Sequence, residues 1–123
     1  MACILVIDDN DELRVTLREI LEGTGYEVRE ASNEREGIAR CQAHAIALVI
    51  TDLLMPEQEG LETIKELRAM APPPKIIAMS GGGETGRLNF LQAAAVLGAN
   101  RTLQKPIRAR DLLTTVQDLL AET

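Results

Sequence analysis

The chain has 123 residues, 46% of them hydrophobic and 26% charged, which suits one domain with a single sizeable core. A net charge of -6 argues against direct nucleic-acid binding and against anchoring on an anionic membrane. No apolar run approaches a membrane span, and the first one stops at Asp8 with no basic residues before it, so neither a membrane segment nor a secretory leader is expected.

Residues 2–7 read as a first strand, followed by Asp8, Asp9 and Asn10 in a loop. Residues 9–11 supply capping side chains for a helix with Leu13, Leu17, Ile20 and Leu21 on one stripe, stopped by Gly23 and Gly25. Residues 26–30 alternate and read as a strand with one wetter face, at a sheet edge. Asn33 followed by Glu36 resembles a capping box and opens a second helix. His44, the only histidine, reads as a solvated loop residue. Cys3 and Cys41 make no disulfide framework and read as reduced, mostly buried thiols. Together with the charge, they point to the cytoplasm.

The run Leu48, Val49, Ile50, Thr51 ends in Asp52 and reads as a buried parallel strand. A loop containing Pro56 follows. A third helix then carries Leu61, Ile64, Leu67 and Arg68, and the prolines at 72–74 end it. Residues 75–79 form the next strand, ending in Ser80, and a glycine-rich loop occupies 81–86. A fourth helix is expected over 87–97, a short strand over 101–104 ending in Lys105 and Pro106, and a last helix from about Arg108. Strand and helix alternate with short connections, so the predicted fold is a parallel sheet with right-handed crossovers and helices on both faces.

Open sheets of this kind hold ligands at the carboxyl ends of their strands. Three acids, Asp8, Asp9 and Asp52, therefore converge there with the Ser80 hydroxyl and the Lys105 ammonium. A lone Asp52 would read as a helix cap or turn residue. Two carboxylates about 4 Å apart repel by about 4 kcal/mol at an effective dielectric of about 20, so positive charge is needed. Lys105 supplies some of it, and a divalent cation could supply more. Oxygen-only ligands suit Mg2+. Ser80 and Lys105 then offer a phosphoryl group a hydrogen-bond donor and a cation. Asp52 is left as the nucleophile for in-line attack on phosphorus.

These residues, in this order and with Met55 and Pro56 after Asp52, resemble the receiver domain of two-component response regulators. The resemblance covers 1–123 as a single receiver domain. It implies an α/β, flavodoxin-like (βα)5 fold with strand order 2-1-3-4-5. It implies phosphotransfer to Asp52 from a sensor histidine kinase or a histidine phosphotransfer protein. Carried over by position, Asp8, Asp9, Asp52 and the backbone carbonyl of Leu54 hold Mg2+, Ser80 is the switch hydroxyl and Lys105 contacts the phosphoryl group. A downstream protein would dock on the fourth helix, fifth strand and fifth helix. The domain would phosphorylate itself and lose the group slowly, because Leu54 and Gly82, which flank the water's approach, cannot act as a base. Thr102 stands where the family often has an aromatic switch residue, and the loop after Ser80 looks longer than usual.

Three other readings compete. Gly81, Gly83 and Gly86 fit a dinucleotide fingerprint, but in the fourth strand-helix turn rather than the first. An aspartate-nucleophile phosphohydrolase of the haloacid dehalogenase type needs a second Asp where Leu54 stands. A binding module indifferent to phosphorylation would not need the full set of acids, hydroxyl and lysine.

Overall fold

The structure is a computed structural model and describes residues 2–52, 54–55, 58–80, 95 and 98–122, with the backbone alone at 54–55 and 58–61. In chain order the elements are β1 (Cys3–Ile7), α1 (Asp11–Gly23), β2 (Glu27–Ala31), α2 (Glu34–Ala43), β3 (Leu48–Asp52), β4 (Leu54–Met55), β5 (Gln58–Glu59), α3 (Gly60–Arg68), β6 (Lys75–Ser80), β7 (Arg101–Gln104) and α4 (Ala109–Ala121). Of the helix expected over 87–97, only Ala95 is described, and it is helical. The glycine-rich stretch 81–86 lies outside the described residues.

β1 and β3 are buried at every position, and β6 at all but its first residue. Uninterrupted Ile, Leu and Val suit strands covered on both faces. These three sit at the centre of a five-stranded parallel sheet in the order β2-β1-β3-β6-β7. Counting only its strands, the order is 2-1-3-4-5. The wetter β2 takes one edge, as its alternation predicts.

Successive strand residues point to opposite faces, so each central strand feeds two cores. Leu5 and Ile7 join Val49, Ile76 and Ala78 under Ile64 and Leu67 of α3, with Ile38 and Cys41 of α2 packed alongside. Ile4 and Val6 join Ile50, Ile77 and Met79 under Leu17 and Leu21 of α1 and Leu112, Val116 and Leu119 of α4. Gly37 lets α2 approach β1: a Cβ there would lie 2.4 Å from Ile7 Cδ1.

Local signals refine the expectations or depart from them in four details. Asn10 caps α1, accepting from the Leu13 N–H at 3.1 Å. Gly23 is the last residue of α1, and Gly25, with φ 101°, makes the turn. Asn33 caps α2 as expected, accepting from the Glu36 N–H at 2.8 Å, but the return bond of the capping box falls one residue earlier, the Glu36 carboxylate accepting from the Ser32 N–H at 2.8 Å. α3 ends at Arg68, before the prolines, because a proline limits how far a helix can run without requiring it to run that far.

The stretch after Asp52, read as a plain loop, holds a two-stranded antiparallel hairpin pairing Leu54 with Glu59 and Met55 with Gln58. Two pairs are too few to leave a periodic signal in sequence.

Candidate phosphoryl-acceptor site

The site is assembled at the carboxyl ends of four strands. The ladder beyond β1 continues one step, with Asp8 N–H donating to Ala31 O at 3.1 Å. Asp8 Oδ1 accepts from the Asn10 N–H at 2.9 Å, so the loop closes on the Asp8 side chain before α1 begins. Asp52 ends β3 and is 3% exposed. Ser80 ends β6 and is fully buried. Just past β7, Lys105 N–H donates to Ser80 O at 2.8 Å, which extends the ladder and aims Lys105 at the sheet edge.

The three acids meet as the strand pattern predicts. Asp8, Asp9 and Asp52 each offer a carboxylate oxygen within 4.8 Å of the others, with Asp8 and Asp52 buried and Asp9 exposed. Lys105 Nζ lies 3.2 Å from Asp8 Oδ2 and 3.2 Å from Asp52 Oδ2. One ammonium cannot neutralise three carboxylates. Burial pushes the Asp8 carboxyl above the ordinary carboxylate range, and the Asp52 charge adds to this; the Asn10 N–H and Lys105 pull the other way. Burial acts to lower the Lys105 pKa, but Asp52 and Asp8 outweigh it, and the ammonium is held charged.

This donor set fits a hard divalent cation. It is oxygen only, it is overcharged, and its exposed member leaves one side open to the waters that Mg2+ retains. Leu54, the further ligand implied by the resemblance, lies in β4 two residues beyond Asp52.

Other singled-out residues lie apart. His44 caps the end of α2, at the strand-start side of the sheet. Cys3 and Cys41 are free thiols, and burial pushes Cys41 up to about 11. Thr102 is half-buried in β7, paired with Ala78. The structure adds a residue that the motif reading passed over. Arg14 of α1 donates from Nη1 to the Asp8 carbonyl at 2.8 Å. Its signal in the sequence is weak, an arginine at the fourth position of a helix.

A doubly wound parallel sheet with an acid cluster and a lysine at its carboxyl edge defines a class of phosphoryl-accepting signalling domains. The response regulator receiver domain profile matches residues 4–117. The transcriptional regulatory protein SrrA of Staphylococcus aureus is 32% identical over 120 residues, covering 98% of this chain and 48% of that protein. The chain thus spans about half the length of the curated relatives it matches. A receiver domain protein from Clostridium thermocellum superposes with a TM-score of 0.89 at 32% identity, covering 98% of this chain and 95% of that one. A CheY-like receiver protein from Methanospirillum hungatei gives 0.88 at 30% identity, covering 99% and 95%. The chain belongs to the response regulator receiver domain family, the signal-receiving modules of two-component systems. No described helix is long and apolar enough to cross a membrane.

Proposed function

We propose that the domain accepts a phosphoryl group on Asp52 from a phosphohistidine of a sensor kinase or phosphotransfer protein, and changes conformation to regulate a downstream protein. The observation that carries this is the Asp52 carboxylate, buried at a strand end and 3.2 Å from Lys105 beside two further acids. An Asp52 oxygen attacks phosphorus in line, the P–N bond breaks, and the histidine nitrogen leaves with its electron pair. Asp8, Asp9, Asp52 and the Leu54 carbonyl would hold Mg2+, which when bound neutralises charge developing on the phosphoryl oxygens. Lys105 turns from Asp8 and Asp52 to the new phosphoryl group, and the Ser80 hydroxyl donates to it.

The net charge of -6 supports a protein partner rather than direct nucleic-acid binding, and a cytoplasmic setting. The output surface in this reading comprises β7, α4 and the helix expected over 87–97. The phosphohydrolase reading fails for want of an acid at Leu54.

Acetyl phosphate with Mg2+, followed by intact-mass analysis, is expected to add one phosphoryl group. Asp52→Asn is expected to add none. Stoichiometric labelling of Asp52→Asn at another residue would overturn the assignment.

A further inference from the structure

Arg14 is a three-way tie directly behind the acid cluster. Its side chain is 14% exposed. Nη1 donates to the Asp8 carbonyl at 2.8 Å, Nε to Glu30 Oε1 at 2.9 Å and Nη2 to Asp11 Oδ1 at 2.7 Å. One planar guanidinium thus joins the loop after β1, the edge strand β2 and the first turn of α1. Arg18 holds the other Glu30 oxygen, so the carboxylate that steadies Arg14 is itself clamped.

The Asp8 carbonyl belongs to the peptide that joins the two neighbouring acids. The Asp8 N–H, in the preceding peptide, is bound to Ala31 O and Asp8 Oδ1 is bound to the Asn10 N–H, and the Arg14 bond restrains the Asp8–Asp9 peptide plane between them. Asp8 Oδ2 is left facing Lys105, and the exposed Asp9 is carried to within 4.8 Å of its neighbours.

We propose that Arg14 is a positioning residue for this reaction: by fixing the Asp8–Asp9 peptide, it brings the three carboxylates together on a divalent cation. The inference rests on the proposed reading of the site. It makes a claim opposite in sign to simple electrostatics. A guanidinium beside the acids repels a cation, so its charge alone would weaken Mg2+ binding, and its removal would strengthen it. Positioning requires that removal weakens binding. Lysine keeps the charge but lacks the planar fork that reaches three acceptors at once, so charge and geometry separate cleanly.

The test is calorimetric titration of Mg2+ into the metal-free chain, below the melting temperature of each variant. Arg14→Ala and Arg14→Lys are both expected to raise the Kd about tenfold or more, the usual scale for loss of a group that orients a ligand. Labelling by acetyl phosphate is expected to need correspondingly more Mg2+ and to reach a near-parental maximal rate at saturation. Glu30→Gln, which loosens Arg14 without removing it, is expected to raise the Kd by a smaller factor and serves if either Arg14 variant fails to fold. Arg18→Ala removes the clamp on Glu30 but leaves both the Arg14–Glu30 and the Arg14–Asp8 bonds, and is expected to raise the Kd by less than Glu30→Gln does. A parent-like or tighter Kd in Arg14→Lys, or in Glu30→Gln where that variant is decisive, would overturn the inference and leave the site reading standing. A parent chain that binds no Mg2+ would remove both.

Discussion

Replacing Lys105 with methionine in metal-free buffer isolates the electrostatics of the site. Nζ lies 3.2 Å from each of two buried carboxylates, and each attraction is about 5 kcal/mol at an effective dielectric of about 20. At separations up to 4.8 Å, each pair of acids repels by about 3.5 kcal/mol or more on the same scale. Lys105 is 22% exposed, so solvent screens part of its gain, and the net loss falls near the lower end for breaking a buried pair, about 3 kcal/mol at pH 7. With an unfolding entropy of about 2.1 cal/mol/K per residue, that lowers Tm by about 12 °C.

The pH dependence gives a second signature. The folded-state pKa of Asp8 is raised above 3.8, first by burial. Its folded form therefore holds a proton more tightly than the unfolded chain does. The associated stability is present below the unfolded pKa and is lost as pH rises through the folded value. Removing Lys105 raises that folded value further, so the deficit of the variant shrinks as pH falls from 7 toward the unfolded value of 3.8. Lys105 itself, raised above 10.5, stays charged throughout this window. Thermal unfolding followed by far-UV circular dichroism in EDTA is the assay. A deficit under about 1 kcal/mol at pH 7, or one that widens toward pH 5, would refute the reasoning.

Three further outcomes are expected. Thr63 is fully buried and its hydroxyl has no hydrogen-bond partner among the described residues, so Thr63→Val should stabilise by about 1 kcal/mol; a lower urea midpoint would contradict this. Glu34 of α2 has its pKa raised above 4.5 by burial, by the charge and hydrogen bond of Glu66 and by the charge of Glu62, so its associated stability is lost as pH rises through the folded value. Glu34→Gln should therefore raise Tm at pH 7 and have little effect at pH 4, and equal shifts at both would count against the pair. Gly37→Ala would drive a Cβ to 2.4 Å from Ile7 Cδ1 and 2.9 Å from Cγ1, so overpacking costing about 1–3 kcal/mol should outweigh the helix propensity of alanine. Adding Ile7→Val should recover part of the loss in chemical denaturation, and a double variant less stable than Gly37→Ala would exclude the clash as its cause.

The elements of this fold follow from local patterning. Runs such as residues 48–50 are apolar throughout because both faces of a central strand are covered, and Glu27–Ala31 carries three charged residues because an edge strand is wetter. The acids of the site were legible for a related reason. A charged residue closing an apolar run can only sit where the strand leaves the core.

Interactions between distant segments were not legible in this way. The hydrogen bond from Lys105 to Asp8 spans 97 positions, and nothing in the composition of either segment encodes a distance of 3.2 Å. That contact exists because β1, β3 and β6 are neighbours in fixed register, and because β7 joins β6 at the edge. The fork of Arg14, the carboxyl pairing of Glu34 with Glu66, the Thr63 hydroxyl left without a partner among the described residues and the hairpin after Asp52 were equally silent. Periodicity reports which face of an element is buried. It cannot report what stands across from that face, because the partner is chosen by strand order and helix placement, which are properties of the whole packed chain.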